Sequence, residues 1–64
     1  MVVLVSNNPN QINFLEWELI TNKIKYRVVK TNKFGLSEPY LIIDGVPLTF
    51  EKSVEWLKEY ENGH

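Results

Sequence analysis

The sequence predicts an α/β fold in which two helices cover a four-stranded mixed sheet. Three observations lead to this prediction: short apolar runs end at turn residues, two segments have helical spacing, and an Asp-Gly dipeptide separates two of the runs. In chain order the segments give strand, helix, strand, strand, strand and helix, or βαβ-ββα. We expect the 64 residues, 1–64, to form one domain.

The first strand and helix are predicted near the start of the sequence. The continuous apolar run Val2 to Val5 is typical of a strand that is buried on both faces. Asn8-Pro9 predicts a helix start, because Asn caps free backbone N–H groups and Pro suits the first helical position. Gln11, three residues after Asn8, resembles the return half of a capping box. We expect this helix to end near Asn22-Lys23.

The first helix carries apolar residues on two sides. At about 100° per residue, Ile12, Leu15 and Leu19 form a stripe that should face the core. Phe14 and Trp17 are neighbours on the opposite side, and exposed aromatic side chains often anchor protein interfaces. They are therefore a candidate partner surface. The alternative is that large aromatic side chains seal the seam between the helices of a small domain.

The second strand is predicted at Ile24 to Lys30, with Ile24, Tyr26 and Val28 on one face. Five of the seven basic residues lie between Lys23 and Lys33, with no acidic residue among them. Such charges deter pairing and are typical of an edge strand. A surface for nucleic acid or for an acidic protein is the less favoured alternative, and for nucleic acid the net charge of -1 and the lack of an RNA-binding motif count against it.

A hairpin is predicted in the second half of the chain, after the connection Thr31 to Glu38. Pro39 to Ile43 has the composition of a buried strand, and Asp44-Gly45 is a strong signal for a two-residue hairpin turn. The returning strand is Val46 to Phe50. Pro47 cannot donate a ladder hydrogen bond, so this strand belongs at the edge of the sheet.

The final helix is predicted to begin after Thr49, which can cap it, and to run to about Glu61. Val54 and Leu57 should face the core, while Trp56 falls outside that stripe and is a further exposed aromatic residue.

The strand order follows from these assignments. A strand-helix-strand unit favours a parallel crossover, whereas the hairpin is antiparallel. With the apolar strands in the centre, the order is 2-1-3-4. Both helices can cover one face, leaving the other face thinly covered as a contact surface. We expect a monomer, because Pro47 and the charged strand oppose pairing through the edges.

The stretch Ser37-Glu-Pro-Tyr-Leu-Ile-Ile-Asp-Gly45, with Glu51 to Leu57, resembles the glutaredoxin branch of the thioredoxin-like fold. That family has a cis-proline, a hydrophobic strand, an Asp-Gly-type turn, an edge strand and a helix ending in an apolar pair. Pro39 matches the cis-proline, and Trp56-Leu57 matches the pair. The resemblance is specific over about Glu38 to Leu57.

The chain also departs from this family at three places. Glutaredoxins carry Cys-x-x-Cys where the first strand meets the first helix, and here Ser6 to Gln11 contains no cysteine. The middle helix is replaced by Thr31 to Glu38. The glycine-containing motif that helps to hold glutathione is absent near Leu48 to Glu51. The resemblance therefore implies a trimmed thioredoxin/glutaredoxin-like fold without redox activity.

A candidate site lies where the first helix should meet the cis-proline. Its residues are Asn8, Pro9, Asn10, Gln11, Glu38 and Pro39. A helix N-terminus presents free N–H groups and can hold an anion. A cis-proline there would leave backbone groups open to an extended peptide. The alternative is that Asn8 only caps the helix.

The composition offers little for catalysis. There is no cysteine for thiol or zinc–thiolate chemistry, and His64 has no neighbour to orient it. Glu16 and Glu18 are two residues apart on a helix and face different ways. We expect no enzyme activity, no cofactor and no metal ion. No apolar run approaches the roughly 20 residues that span a membrane, and Met1 to Val5 lacks a basic leader. We therefore expect a cytoplasmic protein.

The favoured function at this point is binding to another protein by a redox-inactive domain. The chain has seven Asn, six Lys and five Ile but no Ala, which is compatible with an AT-rich genome such as that of a low-GC bacterium or a phage. An effector of phage type that binds a host protein is one concrete form. The alternative is non-catalytic binding of a glutathione-like or anionic small ligand.

Overall fold

A computed structural model describes residues 1–8 and 10–63 and has the predicted mixed α/β layout. Its elements are β1 (Val2–Val5), α1 (Phe14–Thr21), β2 (Arg27–Val29), β3 (Tyr40–Ile43), β4 (Val46–Leu48) and α2 (Phe50–Gly63). The strand order is β2-β1-β3-β4, as predicted. Strand β1 runs parallel to β2 and antiparallel to β3, and β3 and β4 form the antiparallel hairpin.

The hairpin turn confirms its sequence signal. Asp44 and Gly45 have φ angles of 50° and 86°, the left-handed conformations that a tight turn of this kind requires. Strand β4 lies at the edge of the sheet, where Pro47 pairs in register with Ile42. The missing N–H of Pro47 is tolerated there because β4 has a neighbouring strand on one side only.

The main core lies between one face of the sheet and both helices. Its buried members are Val2, Leu4, Leu15, Leu19, Leu41 and Leu57. Ile24 and Tyr26 pack against this cluster, as predicted for one face of the second strand segment. Val28, predicted on the same face, is 37% exposed. Val28 lies in the edge strand β2, where fewer residues are available to bury its side chain.

The second face of the sheet is covered at one end only. Val5 and Tyr40 are paired and fully buried, and they face away from Leu4 because side chains alternate along a strand. The Tyr40 hydroxyl donates to Asn32 Oδ1 at 2.6 Å, which ties the 30–39 connection to this end. At the other end Val3 and Ile42 remain half-buried.

The predicted start of the first helix is wrong. The N-cap is Asn13, whose side chain accepts a hydrogen bond from the backbone N–H of Glu16 at 2.9 Å. The predicted cap at Asn8, with Gln11 as its return partner, therefore lies before the helix. Ile12 also precedes the helix and is 53% exposed, so the predicted core stripe reduces to Leu15 and Leu19.

The strands are shorter than predicted. The second strand covers Arg27–Val29 instead of Ile24 to Lys30, because Val3 pairs with Arg27 and β1 begins only one residue earlier. Residues before 26 therefore extend past the end of their partner strand. Pro39 precedes β3, and Phe50 begins α2 instead of ending β4.

The final helix begins as predicted. Thr49 Oγ1 accepts a hydrogen bond from the Lys52 backbone N–H at 3.2 Å. Leu57 is buried and Val54 packs against the core, so both face the sheet as expected.

Two features of this helix differ from the prediction. It continues through Gly63, beyond the expected end at Glu61. Trp56 is half-buried against the core, and its ring centroid lies 5.7 Å from that of Tyr60. Trp56 is therefore part of the packing of α2 and not a free anchor.

Candidate binding site

The first predicted site does not have the predicted helix N-terminus. Asn8, Asn10 and Gln11 lie in the β1–α1 connection, where the Asn8 carbonyl accepts from the Gln11 N–H at 3.2 Å. Pro9, and the C-terminal His64 considered for catalysis, lie outside the described residues. The helix starts several residues later, and the side chain of Asn13 already accepts a hydrogen bond from its first turn. The basis for an anion site at Asn8 is therefore lost.

Glu38 and Pro39 do lie beside this connection. The Glu38–Pro39 peptide bond is cis, as the resemblance implies for Pro39. Glu38 Oε1 accepts from the Asn7 backbone N–H at 2.6 Å, and Glu38 Oε2 accepts from Asn32 Nδ2 at 3.1 Å. A carboxylate of the chain itself therefore accepts the hydrogen bond of a backbone N–H in this region. Its negative charge also opposes the binding of another anion.

Sequence reasoning missed Asn32, which organises the 30–39 connection. Asn32 Nδ2 donates to the Leu36 carbonyl at 2.7 Å, and Asn32 Oδ1 accepts from the Gly35 N–H at 2.9 Å and from the Tyr40 hydroxyl. Gly35 has a φ of 73°, which glycine adopts without strain. The available signal was an Asn three residues before a Gly, a pattern typical of side-chain-stabilised turns.

A groove of about 500 Å³ separates this connection from the start of α2. It is lined by Gly35, Leu36, Ser37, Thr49, Phe50 and Glu51. Its walls combine two apolar side chains with hydroxyl groups and a carboxylate.

The second predicted site is an exposed apolar surface on α1. Phe14 and Trp17 are 53% and 58% exposed, on the side of the helix away from Leu15 and Leu19, so their predicted exposure is confirmed. The Phe14 ring centroid lies 6.3 Å from that of Phe50, which is itself 40% exposed. Phe14 therefore both closes the seam between the helices and remains accessible.

Ile20 extends this surface along α1. It follows Trp17 by three residues, which makes the two neighbours on a helix, and it is exposed. We refer to Phe14, Trp17, Ile20 and Phe50 together as the α1 patch.

The helix that carries most of the α1 patch also carries two carboxylates. Helix α1 contains Glu16 and Glu18 and no basic residue. The Tyr26 hydroxyl donates to Glu16 Oε2 at 2.8 Å, and burial together with this carboxylate raises the pKa of Tyr26. Within residues 1–8 and 10–63, the one ion pair joins the Met1 ammonium to Asp44, so no ion pair neutralises the helix carboxylates.

Five of the basic residues lie next to the C-terminal end of α1, where the Lys23 N–H donates to the Ile20 carbonyl at 3.0 Å. Lys23, Lys25, Arg27, Lys30 and Lys33 are all exposed, along β2 and its flanking segments. A shallow groove of about 220 Å³ runs beside this edge, lined by Met1, Val2, Lys25, Tyr26 and Arg27.

The chain matches no protein-family model, and no curated protein or solved structure was found to be similar to it. In the part of the chain that the structure describes, neither helix is long and apolar enough to cross a membrane. No group of three or more His, Asp or Glu side chains among these residues is placed to hold a metal ion.

Proposed function

We propose that this chain is a redox-inactive, glutaredoxin-like domain that binds another protein through the α1 patch. The observation that carries the proposal is the exposure of Phe14 and Trp17, each more than half accessible beside Phe50. Large aromatic side chains contribute strongly to protein interfaces, and a contiguous exposed apolar surface is typical of a partner site.

The glutaredoxin-like part of the proposal rests on the sequence resemblance and on the strand order. The strand order 2-1-3-4 is compatible with that relationship, and the resemblance itself lies in the residues from Glu38 to Leu57. The absence of cysteine in the chain supports a role without thiol chemistry, and we propose no catalytic activity. An effector of phage type, acting on a host protein in the cytoplasm, remains the concrete form that we propose.

Substitution of the α1 patch tests this function. We expect the Phe14→Ser/Trp17→Ser double variant to lose a protein that the unmodified chain captures from its native cell, because the apolar anchors are removed. Phe34→Ser is a matched control, since Phe34 is an exposed aromatic residue in the 30–39 connection. Quantitative mass spectrometry of the captured proteins gives the readout.

The single variant Trp17→Ser separates a loss of binding from a loss of folding. Trp17 is the most exposed residue of the α1 patch, so its replacement should leave the amide NMR spectrum dispersed. Equal capture by the unmodified chain and by a folded Trp17→Ser or double variant would remove the α1 patch as the site.

A small-ligand function is the second candidate, and the groove of about 500 Å³ beside the start of α2 is the observation in its favour. Glu38 and Glu51 place negative charge on this side of the molecule, which disfavours an anion. We therefore expect glutathione or phosphate to leave the amide resonances of Asn8, Tyr40 and Thr49 unshifted. Saturable shifts at these amides would favour the ligand function instead.

A further inference from the structure

We infer that the partner of the α1 patch is a protein that presents a cationic amphipathic segment, with apolar anchors flanked by Lys or Arg. This inference rests on the proposed function and specifies the chemistry of the partner. It follows from the carboxylates around the patch, which no basic residue of α1 balances.

Helix α1 places one carboxylate on each side of its most exposed apolar residue, Trp17. Glu16 and Glu18 each lie about 100° around the helix from Trp17, in opposite directions. Glu16 is held on the β2 side by its hydrogen bond from Tyr26. Glu18 follows Phe14 by four residues, so it lies on the same side as Phe14, towards α2.

Helix α2 continues the acidic border. Glu51 directly follows Phe50, and Glu55 follows Glu51 by four residues, so these two exposed carboxylates share one side of α2. The two lysines of α2, Lys52 and Lys58, each lie three residues from Glu55, but neither forms an ion pair within the part of the chain that the structure describes. Lys58 is about 12 Å along the helix from Phe50. The apolar patch is therefore bordered mainly by negative charge.

The charge of the chain is divided unevenly between the helices and the remaining residues. The two helices contain six carboxylates and two lysines, a net charge of -4, although the chain as a whole carries -1. An acidic rim around apolar anchors favours a partner of opposite charge and disfavours acidic partners and nucleic acid.

Selection from a random 16-residue peptide display library tests the inference. The unmodified chain serves as bait, and peptides that also bind the Phe14→Ser/Trp17→Ser variant are removed. We expect the remaining peptides to carry net positive charge and to contain aromatic or aliphatic residues. Their affinity should fall about fivefold or more between low salt and about 0.5 M NaCl, because screening weakens the charge pairs at the rim.

Neutralising the rim gives a second readout on one selected peptide. We expect Glu18→Gln/Glu55→Gln to weaken binding about threefold to tenfold, as the loss of two charge pairs at the surface implies. Glu59→Gln is the matched control, because Glu59 is exposed and lies about 13 Å along α2 from Phe50. This control should leave the affinity unchanged.

The possible results separate the two proposals. Peptides that need the α1 patch but are neutral or acidic, or that bind equally well at high salt, would overturn the inferred partner chemistry and leave the proposed function standing. A library without any peptide that depends on the patch would overturn both. Sedimentation showing a dimer that Trp17→Ser abolishes would overturn the inference too, because the occupant would then be a second copy of the chain.

Discussion

Helices α1 and α2 cover the same face of the sheet but differ in what they present to solvent. Helix α2 buries Ser53 and Leu57 and exposes mainly charged residues, as a surface helix of a globular protein does. Helix α1 has only eight residues, buries Leu15 and Leu19, and exposes apolar side chains. Such a short helix is marginal by itself, so its inward side chains hold it in place. Its outward side chains are available for a partner.

The largest effect that tests this difference is expected at the inward side of α2. Leu57→Ala should reduce the free energy of unfolding by about 2–5 kcal/mol, because Leu57 is fully buried and its truncation leaves a cavity. Trp17→Ala on the outward side of α1 should change it by less than about 0.5 kcal/mol. Urea unfolding followed by circular dichroism measures both. Similar losses for the two variants would mean that Trp17 belongs to the core.

A smaller effect is expected at the polar contact between α2 and the sheet. Ser53 Oγ is buried, accepts from the Leu41 N–H at 3.0 Å and donates to the Leu48 carbonyl at 3.2 Å. Ser53→Ala leaves both backbone groups without this partner, so it should cost about 1–3 kcal/mol in urea unfolding. Ser37→Ala, at an exposed serine, should cost almost nothing. Equal stability of Ser53→Ala and the unmodified chain would contradict this role.

The cap of α1 gives an effect of about 1 kcal/mol. Asn13→Ala removes the acceptor of the Glu16 N–H and should lower both the unfolding free energy and the helicity by circular dichroism. Asn8→Ala is the matched control, because Asn8 takes part in the local turn through its backbone. The reverse outcome, with a loss at Asn8 alone, would restore the helix start that the sequence first indicated.

The smallest effect concerns the ionisation of Tyr26. Burial, with a smaller contribution from Glu16, raises the pKa of Tyr26 above its ordinary 10.0. The pKa of Tyr26 is higher in the folded state than in the unfolded state. The protonated Tyr26 hydroxyl therefore contributes to stability fully below about pH 10, and this contribution is lost as the pH rises through the folded-state pKa. We expect Glu16→Gln to lower the pKa of Tyr26 part of the way towards 10.0, whereas Glu18→Gln should leave it unchanged. Ultraviolet titration against Tyr26→Phe measures the shift.

Elements that depend on local signals were predictable from the sequence. The turn at Asp44-Gly45, the cap at Thr49 and the apolar strand at Val2–Val5 each depend on neighbouring residues, and the structure has all three. The strand order followed because charge and proline assign the edges.

The start of α1 was not decided by the local pattern alone, because two positions have it. Asn8 and Asn13 are both suitable caps, and Asn13 has Glu16 three residues later, a pattern typical of a helix start. Glu38, 31 residues away from Asn7 in sequence, binds the backbone N–H of Asn7 and ties the beginning of the connection to the cis-proline segment.

The candidate site was predictable only in part. Helical spacing placed Phe14 and Trp17 away from the core stripe, and their exposure confirms it. The contribution of Phe50 depends on the packing of α1 against α2, and the role of Asn32 depends on how the connection folds over Tyr40. Neither contact has a local signature.

The separation of charge between the helices and the β2 edge makes the molecule an electric dipole. A pI of about 5.7 and a net charge of -1 describe a nearly neutral particle, but they average over two acidic helices and a basic segment at residues 23–33. In the field of a charged partner, such a particle rotates before it makes contact. It therefore meets a cationic surface with its helices first, and the rate of productive encounters depends on orientation as well as on collision.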